Sequence, residues 1–355
     1  MHYRNLGRTG LKVSALCLGT MTMGKQVDEA TSLAIIARAV DLGVTFLDTA
    51  DMYVNGVTEK ILAKAIEGRR DSLVIASKGG HIRALAPKYG EYVDKGPIGL
   101  PRPKHFRPWE AGALTGPNDM GLSRKHLMQA LEGSLKRLGT DYLDIYYAHM
   151  PDYVTPLDET LRAMDDMVRQ GKVRYLGCSN FRAYQLAKSL ATSDKLNLAR
   201  WDVIQPPFNL LARDIEYELL PLCLEEGVGV VPFSPMAAGL LSGKYAKEKP
   251  PLEGARYSLG HWGYTYNKPY WNDANFAAIG ELKKIADGAG LSLARFALAW
   301  ALANPAISAI SNGATSIAQL EDNAAAVDVK LAPDALAACD EVWRSFRVPT
   351  VFYGR

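Results

Sequence analysis

The chain is poor in the features that would tie it to a membrane, a metal or a nucleic acid. None of its apolar stretches reaches the roughly 18 residues a helix needs to cross a bilayer. Its four cysteines, Cys17, Cys178, Cys223 and Cys339, stand far apart with no C-x-x-C pair, which disfavours zinc. Cys17 and Cys178 lie inside apolar, strand-like runs and read as buried, reduced thiols. A formal charge of +3 spread along 355 residues is too small to imply nucleic-acid binding. Residues Met1-His2-Tyr3-Arg4-Asn5 lack the basic-then-apolar order of a signal peptide, and no N-x-S/T acceptor occurs. The expectation is a cytoplasmic protein, monomeric or homo-oligomeric, acting on a small molecule.

Two nucleotide signatures also fail. Gly227-Val228-Gly229-Val230-Val231-Pro232 starts like G-x-G-x-x-G but carries Pro where the third glycine belongs. Gly239-Leu240-Leu241-Ser242-Gly243-Lys244-Tyr245 is one residue too short for a phosphate loop and lacks Ser or Thr after the lysine.

What is present is alternation. With 48% hydrophobic and 22% charged residues and no low-complexity tract, the composition suits a globular protein. A turn-rich start, Asn5-Leu6-Gly7-Arg8-Thr9-Gly10, suits a small hairpin. Apolar strand-like runs then begin near Ala15, Val44, Leu73, Leu143, Val173, Trp201, Val228 and Ile307. Amphipathic segments lie between them, near 28–42, 57–67, 123–138, 156–170, 182–191, 214–226, 274–303 and 316–326. In the third, Ser123 is a plausible N-cap, Leu127, Leu131, Leu135 and Leu138 share a face, and Gly139 stops the helix. Eight strand–helix units with continuous apolar strands predict a parallel sheet closed into a (β/α)8 barrel, one domain over residues 1–355. Segments 79–122 and 243–273 are too long and irregular for ordinary connections and are expected at the C-terminal face. The second holds Tyr257, His261, Trp262, Tyr264, Tyr266, Tyr270 and Trp271, which either pack on the rim or wall a substrate pocket.

Polar groups placed where apolar runs stop are poor core material. Asp48 and Tyr53 follow the second run, Lys78 the third and His149 the fourth. Alone, His149 would read as structural; beside Asp, Tyr and Lys at neighbouring strand ends it reads as part of a device that protonates a carbonyl oxygen. Later strand ends add Ser179, Asn180 and Gln205, which suit a carboxamide, and Phe208, a flat face for stacking. Phe233-Ser234-Pro235 and Met236-Ala237-Ala238-Gly239 offer small residues where backbone can approach phosphates, and Ser311-Asn312-Gly313-Ala314-Thr315-Ser316 opens a helix whose N-terminus favours an anion.

These blocks resemble the aldo-keto reductases over nearly the whole chain. The resemblance rests on Asp48-x-x-x-x-Tyr53, Ser77-Lys78, the run Leu138 to Asp144 leading to His149-Met150-Pro151-Asp152, Gly171 to Phe181, Ser234 to Tyr245, and Gln319-Leu320-Glu321-Asp322-Asn323. It implies a barrel binding NADP(H) and reversible hydride transfer to an aldehyde or ketone. Tyr53 would be the proton donor, with a hydroxyl made more acidic by Lys78; Asp48 would hold Lys78, and His149 would orient the carbonyl. Gly19, Thr20 and Met21 would line the reactive end of the cofactor. Ser179, Asn180 and Gln205 would bind the carboxamide, and Phe208 would stack on the ring. The backbone of Ser234, Met236, Gly239 and Leu241 would approach the pyrophosphate, and Phe233, Pro235 and Lys244 would also touch the cofactor. Gly313, Thr315, Ser316, Gln319, Asp322 and Asn323 would meet the adenosine half. Lys or Arg is usual around the 2′-phosphate, yet Gly313, Thr315 and Gln319 stand there, so NADPH use with NADH tolerated is the expectation. The rival readings are an NAD-dependent sugar or alcohol dehydrogenase and a non-enzymatic cofactor-binding, redox-sensing subunit.

Overall fold

A computed structural model describes residues 1–81, 118–247, 249, 257 and 270–346. Most of segments 79–122 and 243–273 falls outside the described residues, including His261, Trp262, Tyr264 and Tyr266.

A short antiparallel hairpin, β1 (Tyr3–Asn5) and β2 (Lys12–Ser14), comes first. Eight parallel strands follow: β3 (Leu16–Gly19), β4 (Phe46–Asp48), β5 (Val74–Gly79), β6 (Leu143–Ala148), β7 (Val173–Ser179), β8 (Val203–Gln205), β9 (Gly229–Val230) and β10 (Ile310–Asn312). They pair in chain order, and β10 pairs with β3. Parallel bridges Val230 to Ile307 and Phe233 to Ser311 join the last two edges, so the sheet closes into the expected barrel.

Ten α-helices are described: α1 (Glu29–Asp41), α2 (Val57–Ile66), α3 (Arg124–Leu138), α4 (Leu157–Arg169), α5 (Ala183–Leu196), α6 (Leu219–Glu226), α7 (Asp273–Gly288), α8 (Leu293–Ala303), α9 (Ile317–Ala325) and α10 (Pro333–Phe346). α3 shows why its segment is helical. Ser123 Oγ accepts from the His126 amide, Leu127, Leu131, Leu135 and Leu138 are buried on one face, and Gly139 ends the helix at φ 65°. Burial of each such leucine contributes about 1.5–3 kcal/mol before entropy is counted. The single helix expected over 274–303 is two, α7 and α8, bent by 88°. Gly290 takes φ 70° and Ser292 caps the second helix, so the Gly-Ala-Gly sequence is a break inside one apolar run. α10 continues beyond the last expected helix.

Strand parity decides what faces the barrel interior. Cys17, Phe46, Val74, Ala76, Ile145, Tyr147, Val203, Val231 and Ala309 form an inner apolar cluster, with Leu6 and Val13 of the hairpin region at its base. Two residues further along three of these strands stand Asp48, Lys78 and His149. The side-chain period of two therefore makes them the next inner layer, and a one-residue slip would turn them into the helical layer. All four cysteines are buried and free, and burial pushes the Cys223 and Cys339 thiols up to about 12.

Candidate active site

Asp48 and Lys78 form an ion pair sealed in the barrel mouth, their side chains only 3% and 1% exposed. Lys78 Nζ donates to Asp48 Oδ2 at 2.6 Å and to the Thr49 carbonyl at 2.8 Å, and lies 3.4 Å from Tyr53 Oη. Burial alone would lower the Lys78 ammonium. The charges of Asp48 and Tyr53 more than reverse this and hold it above the ordinary lysine range. The lysine is therefore a fixed cation with an anion on one side and a phenol on the other.

His149 completes the set. Its amide donates to the Gly79 carbonyl at 2.9 Å, and its ring stands edge-on to Tyr53 with centroids 6.1 Å apart. The imidazole is held well below the ordinary histidine range by burial first, then by the neighbouring His81 and Lys78. It is neutral at physiological pH and donates a hydrogen bond rather than a proton. Its Nδ1 is buried with no hydrogen-bond partner among the described residues.

The amide-bearing strand tips are tied to this centre. Gln205 Nε2 donates to Asp48 Oδ1 at 3.3 Å, and Ser179 Oγ donates to the Gln205 carbonyl at 2.8 Å. Asn180 Nδ2 donates to both the His149 carbonyl and Ser179 Oγ at 3.0 Å. With its hydrogens so engaged, Asn180 offers its side-chain oxygen, an acceptor for an incoming NH2. Thr20 is fully buried and spends its amide and hydroxyl on the Asp48 carbonyl, at 3.0 and 2.9 Å. It ties β3 to β4, and only Gly19 and Met21 beside it remain partly exposed.

One expectation is corrected by packing. Phe208 is 0% exposed and lies against Trp300 of α8, ring centroids 5.0 Å apart, so it presents no face to a ligand. Strand alternation itself accounts for this: Val203 belongs to the inner cluster, whereas Ile204 and Phe208, at odd spacing from it, belong to the helical layer. Phe233 is the half-buried aromatic on the inward parity, two residues past Val231. Next to it the chain makes a tight turn, with Ser234, Ala237, Ala238 and Gly239 all at positive φ. The amides of Gly239 and Leu241 both bond to the Met236 carbonyl, at 2.7 and 3.2 Å, and so are already committed within the turn. The side chains of Tyr245 and Lys244 lie beside Gly239, where an added Cβ would be 3.6 Å from Tyr245 Cε2 and 3.9 Å from Lys244 Cε. Tyr257 donates to the Ala237 carbonyl at 2.9 Å and Trp271 packs on Tyr257 and Tyr245, so these aromatics brace the turn from the rim.

The family model for the aldo/keto reductases matches residues 15–344. The chain belongs to the aldo/keto reductase family. It is 37% identical over 355 residues to a probable voltage-gated potassium channel subunit beta of Arabidopsis thaliana, covering 97% of each chain. It is 37% identical over 350 residues to the uncharacterised oxidoreductase YrpG of Bacillus subtilis, covering 97% of this chain and 96% of the other. It is 32% identical over 350 residues to versiconal hemiacetal acetate reductase of Aspergillus parasiticus, covering 96% of each.

The residues expected to meet an adenosine half lie at the end of β10 and along α9. Gly313 nestles against β3, where an added Cβ would lie 3.1 Å from the Gly19 carbonyl. Ser316 caps α9, and Gln319 accepts from both the amide and hydroxyl of Thr315 at 2.9 Å. Asp322 is paired with Arg295 of α8, and Asn323 Nδ2 points to the Gly313 carbonyl at 3.5 Å. Arg295 therefore supplies a cation in a region that looked uncharged in sequence, although it is already neutralised by Asp322. His81, the other residue overlooked, stands at the site with its ring 4.9 Å from His149. Its signal was a polar residue soon after Lys78, behind Gly79 and Gly80.

Proposed function

We propose that this aldo/keto reductase reduces an aldehyde or ketone to an alcohol with NADPH, Tyr53 giving the proton. The observation that carries the reading is the contact chain Asp48–Lys78–Tyr53 beside the neutral His149 ring. A bound nicotinamide would supply the hydride, and the inward Phe233, Asn180, Gln205 and the turn around Ser234 are what would hold it. The fit rests on a half-buried aromatic face, an amide acceptor and a lysine beside a tight turn. His149 donates a hydrogen bond to the carbonyl oxygen and sets its orientation, and Lys78 steadies the negative charge that Tyr53 acquires as its proton leaves. Asp48 keeps the ammonium in place and repays its burial. On the oxidation side the same Tyr53 oxygen accepts the proton.

Steady-state turnover of an aldehyde panel tests the reading. Loss of turnover in Tyr53→Phe with NADPH binding kept supports it; indifference to that change overturns it. Cofactor choice is tested alongside. With Thr315 and Gln319 bound to each other and Arg295 to Asp322, no unpaired cation among the described residues of this end selects the 2′-phosphate. NADPH use with NADH tolerated is therefore expected, and equal or better catalytic efficiency with NADH would overturn the NADPH preference.

The likeness to the probable potassium channel subunit of Arabidopsis thaliana favours a second reading, a cofactor-binding regulatory subunit that senses redox state with little turnover. A folded wild-type chain that binds NADPH and turns over no aldehyde or alcohol of the panel in either direction would favour that subunit.

A further inference from the structure

Tyr53 sits on backbone that does not hold itself. The three residues after it, Val54 (φ 48°, ψ 40°), Asn55 (φ 52°, ψ 41°) and Gly56 (φ 85°, ψ 0°), are all left-handed. Only glycine takes that region freely, and a β-branched valine there is a genuine outlier. Such strain persists where the surroundings over-determine it, typically at functional sites.

The surroundings are specific. Gly56 is buried on the side chain of Arg137 from α3: a Cβ added to it would lie 2.6 Å from Arg137 Cδ and 2.9 Å from Nε. Arg137 Nε donates to Glu59 Oε2 at 2.6 Å, and its amino group donates to Ser134 Oγ at 3.2 Å. Glu59, on α2 just after the loop, has a side chain with no exposed surface. Its other oxygen, Oε1, accepts from Ser77 Oγ at 2.7 Å. Ser77 is the residue before Lys78 on β5, facing the helices while Lys78 faces the barrel interior. One carboxylate thus grips the floor of the loop that carries Tyr53, through Arg137, and the strand that carries Lys78, through Ser77. Between those two anchors lies the 3.4 Å contact of Lys78 Nζ with Tyr53 Oη.

We propose that Glu59 and Arg137 are positioning residues for Tyr53, a brace behind the barrel wall that fixes the tyrosine hydroxyl against the Lys78 ammonium. The brace rests on the reading of Tyr53 as proton donor. It explains why a fully buried carboxylate is kept in the helical layer, where an apolar residue would cost less to bury. It also explains how a left-handed stretch can present the tyrosine reproducibly. A displacement of about 1 Å at a reacting group is worth up to 100-fold in rate.

The test uses the full-length chain as the double variant Glu59→Gln/Arg137→Met, which removes both charges together and orphans neither. Ser77→Ala is the lighter variant, with wild type and Tyr53→Phe as controls. For the double variant kcat is expected to fall about 10–100-fold with the NADPH dissociation constant, read from protein fluorescence, within about threefold of wild type. The basic limb of its pH profile is expected to move to higher pH, because the ammonium no longer favours the tyrosinate. In the cofactor-free protein the 13Cζ resonance of Tyr53, assigned by Tyr53→Phe, is expected to titrate at higher pH too. Ser77→Ala should move all three readouts the same way by less.

A folded double variant with wild-type kcat, pH profile and Tyr53 titration overturns the proposal. So does a loss of kcat matched by an equal loss of cofactor binding. Should the double variant not fold, unchanged kcat and titration in Ser77→Ala overturn it equally. Absence of turnover in the wild type would sink the enzyme reading instead, and the Tyr53 titration in cofactor-free protein would still decide the brace.

Discussion

Replacing Asp48 with asparagine removes the counter-ion of a lysine that has almost no contact with water. The two side chains are 3% and 1% exposed and meet at 2.6 Å, so what remains is an ammonium with the Thr49 carbonyl and Tyr53 Oη for company. At an effective dielectric constant of about 20, the lost attraction is roughly 6 kcal/mol. Relaxation returns part of it, and breaking one side of a buried pair typically costs about 3–5 kcal/mol. Unfolding entropy of about 2.1 cal/mol/K per residue over 355 residues converts that to a fall in Tm of roughly 4–7 °C at neutral pH. The pH dependence has a definite sign. In the wild type Lys78 is held above 10.5, so its contribution is fully present below 10.5 and is lost as pH rises through the folded value. In Asp48→Asn burial is left as the main influence and lowers the lysine, so the variant gains stability as pH rises towards 10.5. The gap between the two proteins should therefore be widest near neutrality and narrow at high pH. Thermal unfolding across pH measures it, with the double replacement Asp48→Leu/Lys78→Met expected within about 1–2 kcal/mol of wild type. An Asp48→Asn protein melting within a degree of wild type at pH 7 would refute the sealed-pair account.

His149→Asn should lose a stability term that appears only in acid: the folded imidazole is held below 6.5, so wild-type stability falls as pH drops below 6.5, by up to about 1.4 kcal/mol per pH unit. Chemical denaturation between neutral and acid pH would show it, and parallel curves for the two proteins would count against a buried neutral imidazole. Phe233→Ala should weaken NADPH binding by about 3–10-fold, the worth of a stacked ring, with little change in Tm. Phe208→Ala should do the reverse, costing about 3–5 kcal/mol of stability for a buried phenylalanine; fluorescence titration and thermal melts on both proteins separate the roles, and a stable Phe208→Ala with poor cofactor affinity would reverse the assignment.

Much of the site was legible because it lies at the ends of apolar runs. Asp48, Lys78 and His149 follow strands whose hydrophobic side chains make their direction readable from parity alone. Gln205 was legible for the same reason, whereas Asn180 stands one residue past the inward Ser179 on backbone with φ 64°, which parity does not foretell. Phe208 was misplaced although parity could be read there: it lies an odd number of residues past the inward Val203 and so falls on the helical side. The break between α7 and α8 was written in Gly288, Gly290 and Ser292, but the apolar run from Leu293 onward hides it from a periodicity reading. α10 carried its own signal in Pro333 at the first helical position and in Leu336, Cys339 and Trp343 on one face. The partnership of Glu59 with Arg137 was out of reach, because the two are 78 residues apart and meet only once the barrel has closed.

The central claim is that this barrel mouth delivers a proton from Tyr53 as a hydride reaches a carbonyl carbon. A single turnover tests it most directly: protein loaded with one equivalent of NADPH is mixed with excess aldehyde, and loss of the reduced-nicotinamide absorbance is followed in the wild type and in Tyr53→Phe. The account predicts one alcohol formed per cofactor oxidised in the wild type. In Tyr53→Phe, with NADPH binding kept, it predicts a rate at least about 100-fold lower. Equal rates in the two proteins would contradict it.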